Sequence, residues 1–478
     1  MKPRPLTFIA VAALHCLALA AGHAATVGSE PAPQGRDIRV DPKLGSDAND
    51  GVAAPVKTIA RGIRLAQPGD TVHLATARYF ESADLTNKNG EAGKPITLDG
   101  HGAVLDGSEP VRAADWEGLG DGLFRKVKLM RHTDDAMIQR WFFLWDGKMN
   151  HMGRTSKGKS APLKKPAELQ PDEWTYVKDE DAFYLRLAPG QGLDAANIRY
   201  PARSSGVIES GKGSHLTVRN IIATHVYNDG YNIHGEQRDM VFENIAAIEC
   251  GDDGFSAHED GECRIDGFVS IGNSTGMCDT VSSVTHYRNV FIRDCLGYDV
   301  FFIGDSPHSI ENAIVESGAQ HAFDAGQHVD RAQNGPCSVV LKNVRFRRVG
   351  SPQEMRVSRN AKLTAERCTF TGLNVQLASG GEIFARQCVF GGEPKPDILL
   401  QPNTLWRGAG NVLDVNSLRM DKTAFTEATF AAFQKLTGDE TSRWGAAKDA
   451  PNAGADDAAL KPLEQMVEDA VKRWRETR

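Results

Sequence analysis

The feature that most constrains this chain is an asparagine that returns at nearly fixed intervals. Val218-Arg-Asn220-Ile, Phe242-Glu-Asn244-Ile, Ile265-Asp-Gly267-Phe, Tyr287-Arg-Asn289-Val, Ile310-Glu-Asn312-Ala and Leu341-Lys-Asn343-Val mark one point of successive units. The spacings are 24, 23, 22, 23 and 31 residues. Such a period belongs to stacked-coil architectures, in which no unit can bury its apolar face alone. Each Asn is expected to bond its neighbours above and below. The interval of 31 implies an insertion of about eight residues, around 324–336.

A second phrase runs through the same stretch. It reads Asp229-Gly-Tyr231-Asn-Ile233-His234, then Asp253-Gly-Phe255-Ser-Ala257-His258, then Asp279-Thr-Val281-Ser-Ser283. Asp299-Val-Phe301-Phe-Ile303 and His321-Ala-Phe323-Asp-Ala325 follow as weaker copies. Apolar residues two apart indicate strands with one buried face. Together the two signals predict an all-β chain, a right-handed parallel β-helix.

The rest of the chain is read around this coil. Residues 1–24 have the charged, apolar and small-residue regions of a secretory signal, and predict a secreted or periplasmic protein without a membrane span. Residues 37–108 are expected to hold an N-terminal cap and the first coils. Thr58 is the predicted N-cap of a short helix that buries Ile59 and Ile63. Asp41, Asp47 and Asp50 are read as Asx-turn residues in preference to a Ca²⁺ loop, since their spacing is not that of an EF-hand. Residues 109–205 lose the coil pattern and read as a small inserted β-domain rich in Trp and Phe. The main coil runs over 206–414. The tail, 415–478, is expected to be helical, with Phe425, Phe430, Phe433 and Leu436 as one apolar set and an amphipathic last helix.

Composition narrows the function. A net charge of -7 gives no footprint for nucleic acid or an anionic membrane. Seven cysteines lie in the coil region without framework spacing, and buried free thiols are expected. Between Gly206 and Asn312 there are 17 Asp and Glu against 6 Lys and Arg. The repeat is expected to stack Asp229, Asp253, Asp279 and Asp299 in one outer column, with His321 beneath. Carboxylates one coil apart, about 4.8 Å, repel by about 3 kcal/mol per pair at an effective dielectric near 20. Turn amides, a cation or partial protonation must offset this.

Paired carboxylates of unequal proton affinity are the machinery of glycoside hydrolysis. The candidate catalytic residues are Asp229, Asp252, Asp253 and Asp279, with Glu259 as a rival acid. His234 and His258, in one outward column, are candidates for binding sugar hydroxyls. Asp324, His328 and Arg331 of the inserted turn, with Arg154, complete the candidate substrate-binding set. The alternatives are a lyase or C5-epimerase acting on uronic acid polymers, and a non-catalytic carbohydrate-binding solenoid. No resident metal is assigned, and Ca²⁺ is the cation that the oxygen donors would suit. The expected partner is a polysaccharide or oligosaccharide, bound by a monomer.

Two resemblances sharpen this. The segment Pro55 to Leu74 resembles the N-terminal cap of secreted bacterial right-handed β-helix proteins, a group rich in polysaccharide-acting enzymes. Asn228-Asp229, followed one turn later by Gly251-Asp252-Asp253-Gly254, resembles the Asn-x-Asp and Asp-Asp motifs of polygalacturonase-like hydrolases. This implies hydrolysis at those aspartates. His234-Gly235 precedes the pair instead of following it, and Arg264-Ile-Asp266 lacks that family's substrate-binding Lys. The inserted domain is similar in layout to β-helix xylosidases and fucosidases, which implies a loop at Asp146 to Arg154 overhanging the groove. Asp253-Gly-Phe-Ser-Ala-His258 loosely resembles the Asp-Pro-His motif of mannuronan epimerases, without the proline.

Overall fold

The computed structural model describes residues 35–477 apart from 331–333, 351–352, 440, 447 and 449–451. The signal-like segment and Arg331 lie outside the described residues. Within them the chain winds into a parallel β-solenoid with few helices. A sheet of 17 strands and a sheet of 12 carry the coils. Successive strands of the larger sheet, such as Lys212–Thr224, Glu236–Ile248 and Glu262–Ile271, pair in parallel. The 12-stranded sheet stacks Val207–Glu209, Tyr231–Ile233, Asp253–Ala257, Thr275–Val281, Tyr298–Gly304, His321–Gly326 and Glu354–Val357. Its outer face carries the candidate site, and it is called the groove sheet below.

The recurring asparagine has a backbone role. Asn220, Asn244, Asn289, Asn312 and Asn343 all adopt φ between 50° and 56°, and Gly267 takes 82° at the equivalent place. Asn and Gly tolerate this left-handed conformation best. The bend lets the larger sheet turn a corner without ending. Side-chain stacking is partial: Asn343 Nδ2 donates to Asn312 Oδ1 at 2.8 Å. Asn220 and Asn289 instead donate to Asp99 and Asp266 of the preceding coil, at 2.9 and 2.6 Å. The expected ladder is thus replaced at two positions by a carboxylate acceptor, and Gly267 interrupts it at a third.

The coil interior is filled by inward residues of both sheets. Phe346, Phe370 and Phe390 stack there at 5.6 and 4.9 Å between centroids. Each such fully buried side chain contributes about 1.5–3 kcal/mol. All seven described cysteines are buried and free, in keeping with the reading as core thiols.

The helix Ile59–Leu65 buries Ile59 and Ile63, and its Thr58 cap accepts from Arg61 N. Asp41, Asp47 and Asp50 accept backbone N–H groups, as turn residues do. Between Ser108 and Pro201 lie two antiparallel four-stranded sheets around Trp141, Phe143, Trp174 and Phe183. Phe425, Phe430 and Phe433 are buried, and Phe433 meets Trp406 edge-on over the last coils. Leu436 leaves this set and is exposed. The C-terminal helix, Asp457–Glu476, packs Leu460, Leu463, Val467 and Trp474 onto Val104, Ile222, Val269 and Phe291 of the larger sheet.

Candidate active site

Asp229 and Asp253 occupy equivalent places in adjacent coils, since Tyr231 pairs with Phe255. Asp252 precedes Asp253 directly. One oxygen from each of the three carboxylates lies within 4.8 Å of the others, and all three side chains are buried.

The charge is offset by the chain inserted between coils. Lys157 Nζ lies 2.8 Å from Asp252 Oδ1 and 2.5 Å from Asp253 Oδ1. Arg140 NH1 donates to Asp252 Oδ2 at 2.6 Å and also to Asn228 Oδ1. Ser156 Oγ donates to Asp252 Oδ1. Asp229 Oδ1 accepts the backbone N–H of Asp253, and its Oδ2 accepts from Asn228 Nδ2, both at 3.1 Å.

These contacts split the proton affinities. Burial alone would raise Asp252, but the charges of Lys157 and Arg140 overcome it and hold this carboxyl well below the usual range. Burial, then the Asp252 charge, pushes Asp253 up to about 6. Burial, then the charges of Asp253 and Asp252, raises Asp229 well above the ordinary value. Lys157 is held cationic: burial opposes its charge, and Asp252 and Asp253 more than restore it. One carboxylate is therefore fixed as an anion beside two whose proton affinity is raised.

The loop that carries Lys157 is tied down along the groove. Thr155 Oγ1 bonds Ser274 Oγ, and Ser156 N donates to the same hydroxyl at 3.1 Å. Lys159 N donates to Gln320 Oε1 at 2.7 Å, and Gln320 Nε2 returns a bond to Lys159 O at 2.9 Å. Arg154 does not face the groove cluster. It braces this loop, donating to Ile138 O at 3.3 Å and Ala161 O at 2.6 Å. The overhang expected at 146–154 is in fact formed by the residues just after it.

Two aspartates expected in the column lie elsewhere. Asp279 pairs in register with Ala257 and Phe302, and so faces the interior. Its carboxyl accepts from Thr285 Oγ1 at 2.6 Å and Tyr287 Oη at 3.0 Å, and burial pushes it up to about 7. Asp299 is fully buried and pushed up to about 8 by that burial. Phe302 is in the core as well. The true column continues from Asp253 through Thr275, Tyr298, His321 and Glu354.

Glu259 is on an exposed turn, accepts from Gly235 N, and lies 3.9 Å from His234 Nδ1. His234 and His258 stack at 4.3 Å between centroids, as their shared column requires. Burial, helped by the charges of His234 and Lys157, lowers His258 to about 3, so the ring is neutral. Both its nitrogens are engaged, by Ser256 Oγ at 2.7 Å and Thr280 Oγ1 at 2.9 Å. It therefore orients two hydroxyls.

About three coils beyond Asp253, some 14 Å away, the groove changes character. Tyr298 stacks on His321 at 4.7 Å and meets Phe301 at 4.7 Å. Asp324 is buried against Arg356, with Nε at 3.1 Å, and Arg359 lies 3.9 Å from its other oxygen. His328 is close enough to His258 to act on its charge.

Sequence reasoning missed Arg140, Ser156, Lys157, Arg356 and Arg359. Ser156 and Lys157 left a trace, since both lie in the short polar run Arg154-Thr-Ser156-Lys157-Gly-Lys159 at the end of the predicted overhang.

The fold and site define a parallel β-solenoid with a buried, cation-paired carboxylate cluster on one outer face. No protein-family model matches the chain, and no curated protein does. Among solved structures it is similar to a glycoside hydrolase at 10% identity, over 89% of this chain and 100% of that one, with a TM-score of 0.44. A pectate lyase follows at 13% identity, 88% and 82% coverage and a TM-score of 0.35. A rhamnogalacturonan lyase follows at 11%, 81% and 87%, and 0.32. Among the described residues no helix is long and apolar enough to cross a membrane.

Proposed function

We propose that the protein is a carbohydrate-active enzyme that hydrolyses glycosidic bonds at the Asp229, Asp252 and Asp253 cluster. The observation that carries this reading is the division of proton affinity within one cluster. Asp253, at about 6, can give a proton to a glycosidic oxygen in mildly acid solution. Asp252 stays ionised and can act as nucleophile or base once Lys157 shifts from it. Asp229 holds Asp253 in place by accepting its backbone N–H. Oxygens within 4.8 Å of one another leave little room for a water between acid and base, which favours a retaining outcome. Thr280, oriented by His258, is placed at the groove surface to meet a sugar hydroxyl, and the buried Ser256 fixes the other side of the ring.

The lyase or epimerase reading draws on Arg356, Arg359 and His321, which could neutralise a uronate carboxylate. It has no neutral lysine to serve as base at the carboxylate cluster, since Lys157 is held in its charged form. Ca²⁺ would suit three carboxylates in kind. Here Lys157 and Arg140 already supply the positive charge, and the set as arranged does not fit a resident Ca²⁺.

The test is incubation of the purified protein with neutral and uronic polysaccharides, with EDTA or with added Ca²⁺. Hydrolysis releases reducing ends without the ultraviolet absorbance of an unsaturated uronate, survives EDTA, and is lost in Asp253→Asn. Absorbance that rises with reducing ends would replace the hydrolase by a lyase. Silence toward every substrate, with saturable oligosaccharide binding, would leave a binding solenoid.

A further inference from the structure

A second group of ligating side chains lies on the outer face of the larger sheet, in the opening coils. His73 belongs to the strand Thr71–Leu74, whose Val72 and Leu74 are buried, so its ring points outward. His101 sits at the bend after Asp99, in the left-handed conformation with φ 49°. Thr76 Oγ1 fixes that bend by donating to His101 O at 2.9 Å. The two rings are nearly parallel, and His73 Nδ1 lies 2.9 Å from His101 Nε2.

The outer nitrogens are the informative ones. His73 Nε2 is 3.0 Å from Asp37 Oδ1, and His101 Nδ1 is 3.7 Å from Asp99 Oδ1. Asp99 is itself fixed by Arg219 Nε at 2.8 Å and Asn220 Nδ2 at 2.9 Å. The order is carboxylate, imidazole, imidazole, carboxylate. In metal sites this pattern recurs: a carboxylate on the far nitrogen sets the tautomer and raises the basicity of the ligating one. One ligand atom each from His73, His101 and Asp99 lies within 4.8 Å of the others. Tetrahedral ligands at Zn–N distances of about 2.0–2.1 Å stand about 3.3 Å apart, so the facing nitrogens need open only slightly. Both rings are partly exposed, which permits this.

We propose that His73 and His101, backed by Asp37 and Asp99, form a site for a divalent transition-metal cation that prefers imidazole, with Zn²⁺ as the probe. Imidazole donors suit Zn²⁺, Cu²⁺ and Ni²⁺ and do not suit Ca²⁺, which takes oxygen ligands. His73 and His101 come from consecutive turns, because His73 pairs in register with Asp99. A bound cation therefore ties the first coils together. This inference is independent of the reaction proposed for the groove.

The test is calorimetric titration of chelator-stripped protein with ZnCl₂ and, separately, CaCl₂, together with melting curves. The expected result is saturable binding of one Zn²⁺, a Tm that rises with Zn²⁺ concentration, and no response to Ca²⁺. His73→Gln and His101→Asn should each weaken Zn²⁺ at least tenfold; Asn keeps the left-handed bend. Asp253→Asn should bind Zn²⁺ as the parent does. The proposal is overturned if the parent shows no saturable Zn²⁺ binding. It is equally overturned if both histidine variants bind unchanged, or if Asp253→Asn alone loses the ion. Should His101→Asn fail to fold, His73→Gln decides the matter by the same criteria.

Discussion

The groove carboxylates divide in proton affinity, whereas the interior carboxylates of the same repeats are all raised. Asp252 and Asp253 lie beneath an inserted loop, and two cations from that insert make one of them a permanent anion. Asp279 and Asp299 lie inside the coil, where burial dominates and both are pushed toward the neutral form. The difference teaches that position in the coil, more than residue type, decides whether an aspartate is a chemical group or a packing group. It also explains why the insert matters: without Lys157 and Arg140 the groove cluster would be as neutral as the interior one.

The largest expected contrast is in turnover. Asp253→Asn should lower kcat by about 10²–10⁴, the usual value of a general acid. Asp279→Asn should leave kcat unchanged, because that carboxyl faces the interior, where it bonds Thr285, Tyr287 and the Ala257 amide and lies 3.8 Å from His308 Nδ1. Steady-state kinetics on the two variants, on whichever substrate the parent cleaves, checks this. If the two variants lose activity equally, the separation of groove from interior is wrong.

Next is the counter-charge. Lys157→Met removes the cation shared by Asp252 and Asp253. Breaking a buried pair costs up to about 3–5 kcal/mol, and the partial exposure of Lys157 reduces that. Both carboxyls should then hold protons more tightly. In the parent, activity should fall on the alkaline side as Asp253 deprotonates through about 6, and on the acid side as Asp252 protonates. In Lys157→Met both limbs should move to higher pH. A pH–rate profile that does not move would show that Lys157 does not set these affinities.

Much of the fold was legible and part of the site was not. The Asn spacing specifies the coil because left-handed corners favour Asn or Gly, and that preference is local, although Arg367 and Gln387 take the same bend in later coils. The registers of Asp279 and Asp299 were also written in it. The ladder advances 22 residues from Gly267 to Asn289, and Asp253 advanced by 22 is Thr275. Asp279 is four positions further on and shares the face of Ala257. Asp299 is one position past Tyr298, and a slip of one turns a side chain to the other face. Following the Asp phrase at the expense of the Asn ladder misplaced both. Arg140 and Lys157 could not be placed the same way. They reach the cluster from 112 and 95 residues away, through an insert that obeys no repeat.

Stability should divide the two groups along the pH scale. Asp279 and Asp299 have folded pKa values of about 7 and about 8, above those of an unfolded aspartate near 3.9. Between those limits the unfolded chain releases protons that the folded chain keeps, so stability falls as pH rises from about 4 to 8. Asp252 has the opposite sign: its stabilisation is present above about 4 and is lost as pH falls below. Melting curves should therefore give a Tm maximum in the acid range, and Asp279→Asn should flatten the alkaline decline. A Tm that climbs steadily to pH 8 would contradict the buried, protonated state of these groups.

The smallest effect is expected where the two regions meet, at His258. Its neutral ring donates no charge to the cluster, and both nitrogens are spent on Ser256 and Thr280. His258→Gln should release those hydroxyls without touching Asp252 or Asp253. Losing one well-oriented neutral hydrogen bond is worth about 1 kcal/mol, or roughly fivefold in binding. The expected outcome is KM raised by about that factor with kcat little altered, the pattern of binding energy shared by ground and transition states. A fall in kcat as large as that of Asp253→Asn would move His258 from positioning into the chemistry. It would then require a proton route from its ring to the carboxylates, along the edge that Cys278 shares with Asp253 and His258.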